Sequence, residues 1–206
     1  METFAPTKST LMAAKSSLEF SEKGFELLDK KRNVLIREMM SYVSEARVLQ
    51  EQVNLTFRKA YKALESANIN SGIANIEDIA MTVEEAKDYE ILFKSVMGVE
   101  VPKIIFERKE IEPKYGFYRS NASSDEAMKE FNNVKYLTYQ LAEVENAVYR
   151  LAMEVKKTQK RANALQNIQI PKFEEIVKFV TEVLEEKERE DFFRLKVVKK
   201  KRKKND

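Results

Sequence analysis

No proline falls between Pro6 and Pro102, and none between Pro113 and Pro171. A proline inside a helix removes a hydrogen bond and clashes with the preceding turn, at a cost of about 3 kcal/mol. The two gaps therefore leave room for two very long helices, and the residues inside them are spaced as such helices require.

In the first gap Leu11, Leu18, Phe25, Met39, Ala46, Val53 and Ala60 fall on one row of sevens, with Arg32 its polar member. A second row, offset by three, holds Ala14, Leu28, Leu35, Tyr42, Leu49 and Ala63, with Ser21 and Thr56 as exceptions. Two apolar rows alternating by three and four over about seven heptads describe a coiled-coil seam. The last third repeats the pattern in Leu141, Val144, Val148, Leu151, Val155, Thr158, Ala162 and Leu165. Beyond Pro171 the spacing resumes at Phe173, Ile176, Val180 and Val183. This predicts one helix kinked at the proline.

A single amphipathic helix of this length needs a partner for its stripe. The two stripes lie in one chain, joined by a connector long enough to reverse direction. The expected fold is mainly α: an antiparallel two-helix coiled coil of N- and C-terminal helices, with residues 8–66 reaching about 88 Å as a rod. Ser123 with Glu126 fits a capping box and Asp125 adds first-turn negative charge, so the second helix should begin near Ser124. Arg32 within the seam reads as a snorkelling interruption or a polar register marker. Gly24 reads as a tolerated weakness or the mark of a closely approaching backbone.

The connector, about 67–122, differs in texture. Gly72, Gly98, Gly116, Pro102 and Pro113 all lie there. From Tyr89 to Val101 the odd positions are mostly apolar and the even ones mostly polar or small, the period of a half-buried strand. Ile104–Phe106 and Tyr115–Tyr118 are candidates to pair with it, giving a small hairpin-containing α/β cap. The organisation read from the chain is a shaft helix over 1–66, a cap over 67–122, a kinked shaft helix over 123–195 and a basic tail over 196–206. Residues 70–88 give no clear signal.

The chemistry-bearing residue types are scarce. The chain has no Cys, no His and no Trp. Disulfides, Cys/His zinc sites and Cys–His or Ser–His–Asp catalysis are therefore excluded. The four glycines are isolated and none precedes a Lys-Ser/Thr pair, so there is no phosphate loop. Glu84–Glu85 and Glu185–Glu186 read as solvated helix surface rather than acid/base pairs, which need a desolvated cleft. No catalytic residue, metal site or cofactor is expected. No run of eighteen apolar residues exists, and the first residues lack a signal-peptide layout. The expected location is the cytoplasm.

Charge is unevenly placed. Residues 194–206 hold eight Lys or Arg and one Asp, a local balance of +7, against +3 for the whole chain. A solvated helix end explains this run most simply. Phosphate-backbone binding or attraction to anionic lipid are the sharper readings. Phe192 and Phe193 precede the basic cluster and no aromatic lies within it, which disfavours nucleic acid.

Particular segments go further. ProThrLysSerThrLeu near the start, LysGlyPheGluLeuLeuAspLysLysArg at 23–32, ValMetGlyValGluValPro at 96–102 and TyrGlyPheTyr at 115–118 resemble the D subunit of the V-type and archaeal-type rotary ATPases. So do LeuAlaGluValGlu at 141–145, LysLysThrGlnLysArgAlaAsnAlaLeu at 156–165, IleProLysPheGluGluIle at 170–176 and LeuGluGluLysGluArgGlu at 184–190. In order and spacing these segments cover nearly the whole chain. The resemblance implies a non-catalytic central rotor shaft, carrying torque between ATP hydrolysis or synthesis and the transport of protons or sodium ions. It implies terminal helices inside a ring of catalytic and nucleotide-binding subunits. It also implies a middle region toward the membrane that docks the small F subunit of the stalk and a funnel-shaped stalk subunit. The chain would then be peripheral to the membrane through its complex, without inserting in it. On this view Tyr89, Ile91, Phe93, Met97, Val99, Val101, Tyr115 and Phe117 of the cap are the docking candidates. The alternatives are a generic coiled-coil scaffold, or a nucleic-acid-associated coiled coil using the basic tail.

Overall fold

The computed structural model describes residues 5–83, 87–108, 115, 116, 118 and 120–205, with side chains as far as residue 202. The chain is mostly helical. Helix α1 spans Lys8–Ser71, α2 Ile73–Ala80, α3 Ala122–Ala164 and α4 Ile170–Asn205, with a π-helical turn, Leu165–Gln169, between the last two. Strands β1, Tyr89–Val96, and β2, Val99–Phe106, form an antiparallel two-stranded sheet. Phe117 and the Glu84–Glu85 pair lie outside the described residues.

The chain divides into two compact units, one of residues 1–33 with 156–206 and one of residues 34–155. In the first, α1 lies antiparallel to the C-terminal helices: Lys8 pairs with Glu188 at 3.4 Å, and Arg32 Nη1 donates to Gln159 Oε1 at 2.8 Å. In the second, α1 lies antiparallel to α3: Gln50 donates to Glu145 at 3.0 Å, and Asn70 to Ser123 at 3.3 Å. Position numbers rise along one helix as they fall along its partner, the arrangement that heptads at both ends of one chain favour.

Several local expectations are adjusted. Helix α1 runs to Ser71 rather than 66, because no glycine or proline falls between 66 and Gly72, whose φ of 80° ends it. Helix α3 starts at Ala122, and Asn121 O accepts the N–H of Ser124 at 2.8 Å. Ser123 is thus inside the first turn, and its hydroxyl meets Asn70 instead of capping the helix. Asp125 does lie in the first turn and accepts the hydroxyl proton of Tyr115. Residues 196–205 continue α4 rather than leaving it as a separate tail.

At Pro171 the helix accommodates the missing N–H by widening beforehand. Ile170 N–H reaches back to Leu165 O, five residues away, and Pro171 then occupies an early position of α4 where its absent donor costs little. Gly24 faces this turn. A Cβ built on it would meet Leu165 Cδ1 at 3.5 Å, ordinary contact with a side chain, not a backbone.

Arg32 is a cross-helix polar link. Besides Gln159 it pairs with Asp29 at 2.6 Å, and Gln159 in turn donates to Asn163 at 2.6 Å.

Candidate interaction surfaces

The hairpin differs from a single strand over 89–101. Its turn is Met97–Gly98, with Val96 opposite Val99 and positive φ at both central residues, 52° and 80°. That is the two-residue turn whose twist matches the strands it joins, normally filled by Asn-Gly. Methionine is a costly choice at such a φ, which is why the turn hides inside the apolar run. Tyr115 and Tyr118 are not in a strand.

The turn also splits the predicted apolar stripe. Antiparallel partners share a face. Tyr89, Ile91 and Phe93 pair with Phe106, Ile104 and Pro102, whereas Val99 and Val101 pair with Val96 and Lys94 on the opposite face. Val101 is buried in a cluster with Leu35, Ala147 and Leu151, joined by Val96, Val99, Met39, Tyr42 and Val155. So Val99 and Val101 anchor the hairpin to α1 and α3. Tyr115 is buried as well, held by Asp125, and burial with that carboxylate pushes its phenol up to about 12.

Further contacts fix the hairpin on α3. Ile104 N–H donates to Glu143 Oε2 at 2.8 Å, which places β2 along α3 and leaves β1 as the outer strand. Arg150 donates to Glu100 O at 3.0 Å and holds its guanidinium over Phe93, 5.2 Å from the ring centre. At the base Phe106 stacks on Tyr136 and Tyr89 leans on Tyr139. Asp88 accepts from Lys135 at 2.7 Å, Tyr139 at 3.1 Å and Tyr136 at 3.2 Å. The Lys135 bond, chiefly, lowers the Asp88 carboxyl to about 2, while burial and Asp88 raise the Tyr139 phenol to about 12.

What faces solvent is therefore a subset of the cap candidates: Tyr89, Ile91, Phe93 and Met97, with Leu92 and Ile105 added. The alternation rule missed Leu92 and Ile105 because it assigns only one face of a strand to a partner. Helix α2 is also exposed, with Ile73 open to solvent.

The seam residues are placed as follows. In the first unit Ala162 and Val180 are buried, and Leu11, Leu18, Phe25, Leu28, Leu165, Ile176 and Val183 are half-buried. In the second Leu35, Val53, Val144 and Leu151 are buried, and Met39, Tyr42, Leu49, Leu141, Val148 and Val155 are half-buried. The heptad rows did not announce a third α1 row at the same spacing, Phe20, Leu27, Val48, Leu55 and Ile69, all solvent-exposed.

No helix among the described residues is long and apolar enough to cross a membrane. Residues 10–200 match the family model for the D subunit of ATP synthase. Over 197 residues the chain is 46% identical to the D subunit of the V-type ATP synthase of Thermotoga neapolitana, covering 96% of this chain and 97% of that one. It is 40% identical to the D subunit of the A-type ATP synthase of Thermococcus kodakarensis, covering 94% and 92%. Likeness of this extent, over nearly the whole of both chains, means that the chain belongs to the ATP synthase D-subunit family.

Proposed function

We propose that the chain is the central rotor shaft of a V/A-type rotary ATPase, transmitting torque between the catalytic ring and the ion-translocating membrane rotor. The observation that carries this reading is the whole-length likeness to the D subunits, in a chain whose two ends pair as antiparallel helices within each compact unit. Paired helices resist bending and twisting better than one. The seam residues named above are, on this reading, what couples the two helices mechanically. The shaft itself is non-catalytic, and the complex that holds it sits peripherally on the membrane.

The exposed part of the hairpin is the docking surface for the small F subunit of the stalk, with the funnel-shaped stalk subunit beyond it. Single apolar residues on a surface need no partner, but a contiguous patch does. Strand β1 offers one on a single face in Tyr89, Ile91 and Phe93.

Purification of the tagged chain from gently solubilised membranes tests the shaft reading. Recovery of the large catalytic subunits in excess over the chain is the expected result, and their absence overturns it. Replacing Ile91 and Phe93 together by Glu should weaken docking of the small subunit about tenfold or more, with unchanged circular dichroism. Undiminished docking would remove the hairpin from that role.

A further inference from the structure

Strand β1 is exposed along nearly its whole length, and one of its edges is open as well. The edge follows from the hydrogen-bond pattern of the hairpin. Antiparallel neighbours alternate between pairs that bond each other and pairs whose backbone groups point away. Ile104 N–H points away from β1, to Glu143, and Glu100 C=O points away from it, to Arg150. Their partners across the sheet are Ile91 and Ser95. These two, with Tyr89 and Phe93 at the same parity, therefore turn N–H and C=O outward. No described residue bonds to them there. Folded chains usually blunt such an edge with proline, a bulge, shortness or several charges. Strand β1 has 8 residues, an unbroken register and no proline, and only Glu90 and Lys94 carry charge.

The sequence of the strand decides what fits the edge. Laid antiparallel to itself about Leu92, it sets Glu90 opposite Lys94 twice, Ile91 opposite Phe93 twice, and Leu92 opposite Leu92. Ile91 and Phe93 then exchange backbone hydrogen bonds through their outward groups. Glu90 and Lys94 fall in the closely spaced pairs between, where side chains meet most directly. Both are exposed, and neither makes an ion pair within the described residues. Centred on Ile91 instead, Glu90 would face Leu92; centred on Phe93, Lys94 would. The strand is complementary to itself in one register.

We propose that β1 pairs with β1 of a second copy of this chain about Leu92, joining two hairpins into one four-stranded antiparallel sheet. Two short strands bury less than the roughly 1,000 Å² of a lasting interface, so the pairing is reversible. Its use rests on the shaft reading, in which a single copy works at a time: pairing guards the open edge until the chain is assembled. Ile91 and Phe93 also serve the proposed docking of the small stalk subunit, so one hairpin cannot do both at once.

The test uses the full chain, which has no cysteine of its own. Leu92→Cys places two thiols across the axis, with Cα atoms about 4.5–5.5 Å apart, and mild oxidation should join them. Ser95→Cys, three residues from the axis, leaves its Cα atoms about 20 Å apart and should not cross-link. Lys94→Glu should raise the dissociation constant of the dimer, measured by sedimentation, about tenfold. Adding Glu90→Lys should restore it, because the opposed charges are then exchanged and paired again. All these side chains but that of Ser95 flank exposed backbone outside the helices, so unchanged circular dichroism is the check on folding. Equal cross-linking by both cysteines, or a dimer indifferent to Lys94→Glu, would mean that the copies meet elsewhere, and overturns the proposal. A chain that stays monomeric even near about 1 mM overturns it too. If added small stalk subunit then protects the Ile91 and Phe93 amides of that monomer from hydrogen exchange, the edge belongs to that partner instead. None of these outcomes decides the shaft reading, which stands or falls on co-purification with the catalytic subunits.

Discussion

The carboxylate of Asp88 receives the ammonium of Lys135 at 2.7 Å, tying the residue that leads into β1 to the body of α3. The Asp88 side chain is only 10% exposed, and two tyrosine hydroxyls complete its shell. This pair is where the hairpin is fastened at its open end, as Val101 fastens it near the turn.

Asp88 titrates below its ordinary value, to about 2 from 3.8. A depressed carboxylate contributes stability that is fully present above the unfolded value and lost as pH falls through the folded one. Between about pH 4 and pH 2 the hairpin should loosen, by on the order of 1–2 kcal/mol. Asp88→Asn should lose that stabilisation at pH 7 and melt with a shallower acid dependence over that window. A melting curve unchanged by the substitution at both pH values would show that the carboxylate is not what holds the strand.

Leu35 and Leu151 are both fully buried and meet in the cluster that also holds Val101. Leu151→Ala should cost about 2–5 kcal/mol through lost burial and the cavity left behind. Denaturant unfolding followed by circular dichroism measures it. A loss well under 1 kcal/mol would mean the cluster closes over the gap.

Met97 carries φ 52°, a strained setting for any residue with a Cβ. Met97→Asn restores the residue pair this turn prefers and should stabilise by about 0.5–1 kcal/mol. Gly98→Ala, at φ 80°, should destabilise by about 1 kcal/mol. Opposite signs in the two melting shifts are the expected signature. Equal signs would contradict the turn geometry.

Gly24→Ala should gain about 0.5–1 kcal/mol, since it removes a helix-interior glycine. The new methyl would meet Leu165 Cδ1 at ordinary contact distance. A lower melting temperature would mean that the π turn at 165–169 cannot adjust to even one methyl.

The long helices were legible because their determinants are local and periodic. Proline gaps forbade nothing over 7–101 and 114–170, and rows of Leu, Val and Ala repeated often enough to outweigh Gly24, Arg32 and Ser21. Segment order gave the family from the same residues. The cap was only half legible: alternation announced strand at 89–101, but it does not say where a chain folds back. Gly98 alone is a weak turn signal when Met97 precedes it.

What tertiary structure decided follows from contacts between distant positions. The turn at Met97–Gly98 changes which parity shares a face, so Val99 and Val101 pack into the cluster around Leu35 and Leu151, while Ile91 stays exposed and Tyr89 and Phe93 are only partly covered, by Tyr139 and Arg150. Arg32 becomes a link because Gln159 stands opposite it, and Asp88 becomes a fastening because Lys135, Tyr136 and Tyr139 converge on it. The turn Leu165–Gln169 widens ahead of Pro171, so that the missing N–H falls at an early position of α4. Periodicity along one chain fixes which residues share a stripe. Only the partner across the gap fixes what that stripe touches, and no rule of spacing contains the partner.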